Sequence, residues 1–205
     1  MSDHPFDPIA HWDDRHRTTA PAELSWFEEH STTSLDLIDT VLEGRPASII
    51  DIGGGTGRLV DDLLDQGHQV TVVDISQAAL DLARSRLPES SNATWIQADL
   101  RTWAPRQRWD LWHDRALLHF LTDPAERQRY AATMRQAVGI GGGFVIGVFA
   151  EDGPTQCSGL AVHRSTAADL RSIVGDAEII AERRSTHITP SGAEQRFRWI
   201  AGRLR

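Results

Sequence analysis

The run Asp51-Ile52-Gly53-Gly54-Gly55-Thr56-Gly57 sets one carboxylate and a string of glycines between an apolar stretch, Ala47 to Ile52, and a stretch with helical spacing, Arg58 to Gln66. Glycines at such a strand-to-helix turn let the backbone come close to a ligand, and the carboxyl ends of strands are where α/β sheets hold ligands. A dinucleotide fingerprint counted from Gly53 would need its third glycine where Arg58 stands, so the spacing argues against a pyrophosphate. Asp51, on the strand before the turn, can accept hydrogen bonds from an ammonium group, directly or through water. Asp74 closes a second apolar run, Val70 to Val73, where a carboxylate can take both hydroxyls of a ribose. Asp99 closes a third, Ala93 to Ala98, where it can accept from an adenine amino group. The set favours a nucleoside that bears an amino acid. For Asp74 and Asp99 taken singly, a helix-cap or turn role is the alternative.

The elements that must carry these residues follow from hydrophobic spacing. Ser34 can cap a helix with Leu35, Ile38, Val41 and Leu42 on one face, closed by Gly44. Leu59, Val60, Leu63 and Leu64 make a second helix stopped by Gly67, and Ser76 caps a third that ends at Pro88. Trp109 to His113 reads as a fourth strand, Asp123-Pro124 opens a helix through Val138, and Gly143 to Phe149 is a fifth strand. A loop runs from Ala150 to about Arg164, then Thr166 to Val174 is a short helix. Two extended runs, Glu178 to Ile188 and Gln195 to Leu204, have no helix between them and should pair. The predicted fold is α/β: a doubly wound, mostly parallel seven-stranded sheet, Rossmann-like, with a C-terminal antiparallel hairpin at one edge. Residues 1–30, polar with interspersed aromatics, form an N-terminal arm or lid, and residues 31–205 a single domain.

Composition narrows the partners. A chain of 205 residues has room for one well-covered core. The formal charge of −8 argues against nucleic acid or an anionic membrane as the main partner. No apolar run approaches the roughly 20 residues of a bilayer span, and Met1 to Ala10 lacks a signal-peptide pattern. A lone cysteine, Cys157, cannot form an internal disulfide, so the cytoplasm is the expected compartment. His4, His11 and His16 lie in the arm, His113 and His119 are poorly spaced for a shared ion, and no C-x-x-C or H-E-x-x-H occurs, so no metal is expected.

DIGGGTG, VTVVDIS, WIQADL and WDLWHDRALLHFL, in this order and at strand ends, resemble the class I S-adenosylmethionine (SAM) dependent methyltransferases from about Ser34 onward. The resemblance implies SAM as cofactor, held by Asp51, Gly53, Gly55, Thr56, Gly57, Asp74 with Ile75, Asp99 with Leu100, and Asp114. His11-Trp12-Asp13-Asp14-Arg15 followed by Ser25-Trp26-Phe27 is similar to the opening of thiopurine and halide/thiol methyltransferases. That likeness implies an arm folded over the cofactor, Trp12 on SAM and Trp26 walling the acceptor pocket. Asp152-Gly153-Pro154, Cys157-Ser158-Gly159-Leu160, Arg164, His187, Thr189-Pro190, Gly192, Gln195 and Phe197 are similar to a group of small bacterial methyltransferases, although Ser165 stands where those carry Tyr.

Topology selects the side chains that can meet an acceptor. Asp114 and His119 follow the fourth strand, Cys157 lies after the fifth, and His187 ends the first hairpin strand, with Arg115 beside Asp114 as its partner. His119, His187 and Asp114 are the candidates for proton transfer; Trp26, Arg115, His119, Cys157 and His187 are the candidates for acceptor contact. Each histidine has a buried, backbone-bonded role as its alternative. A sulfonium methyl needs no enzyme nucleophile, and no compelling base triad stands out. The expected acceptor is therefore a small thiol or other chalcogen nucleophile. His-assisted O-methylation of a hydroxyl or carboxyl substrate, a non-catalytic SAM-binding domain and an NAD-linked oxidoreductase are the alternatives.

Overall fold

The computed structural model describes residues 6–205; residues 1–5 of the expected arm, His4 among them, lie outside the described residues. The strands are β1 (Ser48–Ile52), β2 (Gln69–Asp74), β3 (Ala93–Gln97), β4 (Leu111–Arg115), β5 (Gly143–Phe149), β6 (Gln156–Cys157), β7 (Leu160–Ala161), β8 (Ala177–Ile188) and β9 (Glu194–Leu204). The α-helices are α1 (Pro8–Thr18), α2 (Thr32–Leu42), α3 (Leu59–Asp65), α4 (Gln77–Arg84), α5 (Pro124–Val138) and α6 (Ala167–Val174). One seven-stranded sheet runs β3-β2-β1-β4-β5-β9-β8. It is parallel from β3 to β5, and β9 is antiparallel to both β5 and β8. The chain passes from β3 back across β1 to β4, so strand order reverses between β1 and β4 and opens a crevice beyond their carboxyl ends.

Both faces are covered, so the central strands are apolar on both sides and alternate residues join different cores. Ile49, Val72, Leu111 and Val145 pack with α2 and α3, through Leu37, Ile38, Val41, Leu59, Val60 and Leu63. Ile50, Ile52, Trp112, Phe144 and Ile146 pack with α5 and α6, through Tyr130, Met134, Ala137, Leu170 and Val174. No helix among the described residues is long and apolar enough to cross a membrane.

Four local expectations need correction. Ser34 does not cap α2: Ser31 stands at the cap position, and Ser34 is buried inside the first turn. The arm, expected without regular structure, holds a helix, α1, whose cap Asp7 accepts from the amides of Ile9 and Ala10 and is followed by Pro8. Asp114 and Arg115 belong to β4 rather than to the segment after it. Where only a loop was expected after β5, the short antiparallel pair β6–β7 forms.

Candidate functional site

At the crevice the chain turns sharply. Gly53 and Gly55 have φ of +67° and +53°, in the left-handed region that side chains disfavour. Gly54 is glycine for space, since a Cβ there would sit 2.6 Å from Asp51 Oδ2 and 2.7 Å from Val72 Cγ1. The carboxylate of Asp74 pins the turn: its Oδ2 accepts from Gly55 N at 2.9 Å and its Oδ1 from Ser76 N at 2.8 Å. Burial pushes the Asp74 carboxyl up to about 6, against those amides and that of Ile75, with Asp51 pushing the same way as burial. Asp99 is different, held below its usual range chiefly by Arg101, whose Nε and Nη2 lie 2.9 and 2.6 Å from its two oxygens.

A cavity of about 390 Å³ opens over this turn. One end is lined by Gly53, Gly55, Asp74, Ile75, Asp99 and Leu100; the other by Trp12, Trp26, Phe120, Phe149, Cys157 and Phe197. A smaller cavity of about 50 Å³, bounded by Asp51, Gly54, Thr56, Gly57, Glu28 and His113, shares Trp26, Gly53 and Arg115 with the larger one. The arm supplies the roof. Asp13 on α1 accepts from Ser76 Oγ at 2.7 Å and from Ala78 N at 3.1 Å, docking α1 on the start of α4. Trp12 then meets Trp26 and Phe120 edge-on, at centroid distances of 6.0 and 5.0 Å.

A strap from Pro21 to Ser31 follows α1 and is tied down at two points. Arg115 Nη1 donates to the Trp26 carbonyl at 2.9 Å, its Nη2 lies 2.9 Å from Glu28, and its guanidinium stacks over Phe197 at 5.2 Å. His187 Nε2 lies 2.8 Å from the Ser25 carbonyl and its Nδ1 3.3 Å from the same Glu28 oxygen. Burial raises the Glu28 carboxyl, but His187 and Arg115 outweigh it and hold it below its usual value.

Three candidates are corrected by this geometry. Asp114, expected at the cofactor, is fully buried outside both cavities, accepting from the amides of Leu117 (2.8 Å) and Leu118 (3.1 Å). Burial pushes it up to about 6. His119 lies behind the cavity wall, 4.5 Å from Phe120 and 4.3 Å from Phe149 between ring centroids, with neither ring nitrogen hydrogen-bonded. Burial, with Arg115 adding to it, pulls His119 down to about 3, so it neither reaches an acceptor nor titrates near neutrality. His187 lines neither cavity, and its ring is occupied with the strap. Cys157 does line the larger cavity, its thiol pushed up by burial against Ser158, Ser25, Arg15 and Arg115. Among the described residues no cluster of three metal-ligating side chains occurs.

Several further side chains line the larger cavity beyond those expected there. His16 is buried beside the turn, where a Cβ on Gly55 would come 3.6 Å from its ring, and burial pulls it down to about 4. It lies one helical turn after Trp12, a signal that an α1 assignment would have exposed. Phe120, Phe149, Gln195 and Phe197 also line the cavity, and β9 begins there because its antiparallel course brings its first residues beside the end of β5.

Residues 49–142 match a family model described as a methyltransferase domain. A trans-aconitate 2-methyltransferase of Azoarcus sp. (strain BH72) is 33% identical over 116 residues, 56% of this chain and 42% of that protein. The chain spans about half the length of the curated relatives it matches. A Burkholderia thailandensis 1,6-didemethyltoxoflavin-N1-methyltransferase, solved with 1,6-didemethyltoxoflavin and S-adenosylhomocysteine, superposes with a TM-score of 0.71 at 21% identity, covering 99% of this chain and 93% of that one. A structure reported for the conversion of a disulfide bond into a thioacetal group during echinomycin biosynthesis reaches a TM-score of 0.74 at 18% identity, covering 96% of this chain and 93% of that one. At these identities the likeness is one of fold. Residues 49–142 thus resemble a methyltransferase domain, and they lie on a Rossmann-like sheet that continues beyond the matched span.

Proposed function

We propose that this chain transfers a methyl group from SAM to a small-molecule acceptor that arrives already as an anion. The observation that carries the reading is the crevice itself, with a glycine turn and Asp74 at one end of a cavity, an aromatic box at the other, and Asp51 bordering a smaller cavity beside the turn. The residues fit the cofactor. Asp51 can take its ammonium group, and Asp74, whose oxygens keep lone pairs beside their backbone bonds, can take the ribose hydroxyls. Asp99 fits less well because each of its oxygens already has two contacts from Arg101, so Leu100, Ala98 and Ile75 are left to frame the adenine. When bound, the cofactor supplies an electrophilic methyl on a sulfonium that leaves as a neutral thioether.

The protein's own part is positioning and exclusion of water. His119 and His187 lie outside the cavities, and His16, which lines the larger one between Gly55 and Trp26, is pulled down to about 4 by burial, so no histidine there is a strong base. An acceptor that needs no deprotonation is therefore favoured: a thiolate or other chalcogen anion, or a carboxylate. The relative named for trans-aconitate supports the carboxylate, and the fold neighbour tied to thioacetal formation supports sulfur. A screen of SAM consumption across thiols, chalcogen oxyanions, carboxylates, phenols and alcohols tests this. Across an active thiol series, the apparent pKa of kcat/KM should track the acceptor's own. A profile fixed near pH 6.5 whatever the acceptor, abolished by His119→Asn or His187→Asn, would overturn it.

In this reading the arm works as a lid. It contributes Trp12, His16 and Trp26 to the cavity, so a bound ligand and the arm must order together. Amide exchange in residues 8–31 should slow when S-adenosylhomocysteine is added, more so with acceptor present. Equal exchange with and without ligand would exclude a lid.

A further inference from the structure

Asp51 and His113 are register partners on β1 and β4, so their side chains leave the same face of the sheet, the face on which Ile49 and Leu111 pack against α2. His113 Nδ1 lies 2.7 Å from Asp51 Oδ1, and its Nε2 lies 2.9 Å from Ser34 Oγ on α2. The three residues are 5%, 1% and 1% exposed in the order Asp51, His113, Ser34. An ionised carboxylate can only accept, so Nδ1 carries the proton, and Nε2 is left to accept from the Ser34 hydroxyl.

The order Ser34–His113–Asp51 matches that of a hydrolytic triad, but Ser34 is sealed under α2 and lines neither cavity. A nucleophile there has nothing to attack. The open end of the chain of bonds is the other one: Asp51 Oδ2 is aimed at the glycine turn and borders the smaller cavity. We infer that His113 is a positioning residue for the ammonium end of the cofactor, aiming the Asp51 carboxylate while Ser34 holds the far side of the ring in place. This rests on the cofactor reading above. It assigns a role to a buried histidine at the centre of the sheet that the methyl-transfer chemistry leaves unused, and it explains a buried hydroxyl inside the first turn of a helix. Because α2 follows the strap directly, the same chain of bonds joins the base of the lid to the cofactor site.

The test separates the amino-acid end of the cofactor from its nucleoside. S-adenosylhomocysteine carries both, and 5′-methylthioadenosine has the same thioether nucleoside without the ammonium group. By calorimetry, His113→Leu should weaken S-adenosylhomocysteine by at least about tenfold, the usual worth of a hydrogen bond to a charged group, and leave methylthioadenosine within about twofold. His113→Asn, which restores an N–H near Nδ1, should recover most of the loss. In an Asp51→Asn background His113→Leu should add nothing. If His113→Leu does not fold, Ser34→Ala and His113→Ala carry the test, with the ratio of the two affinities as readout. Equal weakening of both ligands, or an unchanged ratio in every folded variant, would overturn the assignment. Wild-type protein that binds neither ligand would instead overturn the cofactor reading.

Discussion

Asp74→Ala is expected to weaken S-adenosylhomocysteine binding by about 10- to 100-fold, because two ribose hydroxyls lose a charged acceptor worth about 1.5 to 3 kcal/mol. The melting temperature should fall by no more than a few degrees, since the buried carboxylate removed is one whose desolvation outweighs the amides that bond it. The same residue sets a pH dependence. With its pKa raised from 3.8 to about 6, the hydroxyl-accepting form is lost as pH falls through about 6, so affinity should drop there, and Asp74→Asn should flatten the step. For folding the sign is opposite. The folded protein holds this proton more tightly than the unfolded chain, so the contribution of Asp74 to stability is full below its usual range and lost as pH rises through about 6. Affinity that is flat from pH 5 to 8 in the wild type would remove Asp74 from the site.

Arg115→Gln is expected to release the strap and abolish turnover together. The guanidinium joins the Trp26 carbonyl, Glu28 and the Phe197 ring, with 12% of its side chain exposed. Removing one partner of a buried pair costs about 3 kcal/mol at the lower end of the usual range, appropriate here because Glu28 keeps His187. For a chain of this size that is a fall of about 6–12 °C in Tm. Glu28→Gln in the same chain should restore part of the loss, since the uncompensated carboxylate goes with it. A Tm within about 2 °C of wild type would mean that other contacts hold the strap.

Most of the sheet was legible because buried parallel strands leave continuous apolar runs bounded by glycine, and the predicted β5, Gly143–Phe149, matches residue for residue. The acids at strand ends were legible for the same reason: Asp74 closes β2 at the crevice. Asp114 was misplaced because β4 runs two residues beyond its apolar pattern, which turns that carboxylate toward the amides of the next turn. Helix α1 was missed although Asp7-Pro8 repeats the Asp123-Pro124 signal, because α1 buries only His16 and so carries almost no apolar stripe. Residue type alone makes Ser34 a helix cap; only the neighbouring strands reveal that its hydroxyl has a buried imidazole to bond. Arg115, from the middle of the chain, and His187, from its C-terminal hairpin, meet at Glu28 near the start, a pairing no local pattern encodes.

The cavity has two walls drawn from different lengths of chain. Asp51 through Leu100 furnish one, while Trp12, Trp26, Cys157 and Phe197, from the arm, the β6–β7 pair and β9, furnish the other. The two sets can therefore diverge independently over generations. A descendant gene could exchange its strap and its β8–β9 hairpin, reshape the aromatic wall and keep the wall around the glycine turn unchanged, with β5 and Arg115 as the seam along which the pieces must still fit.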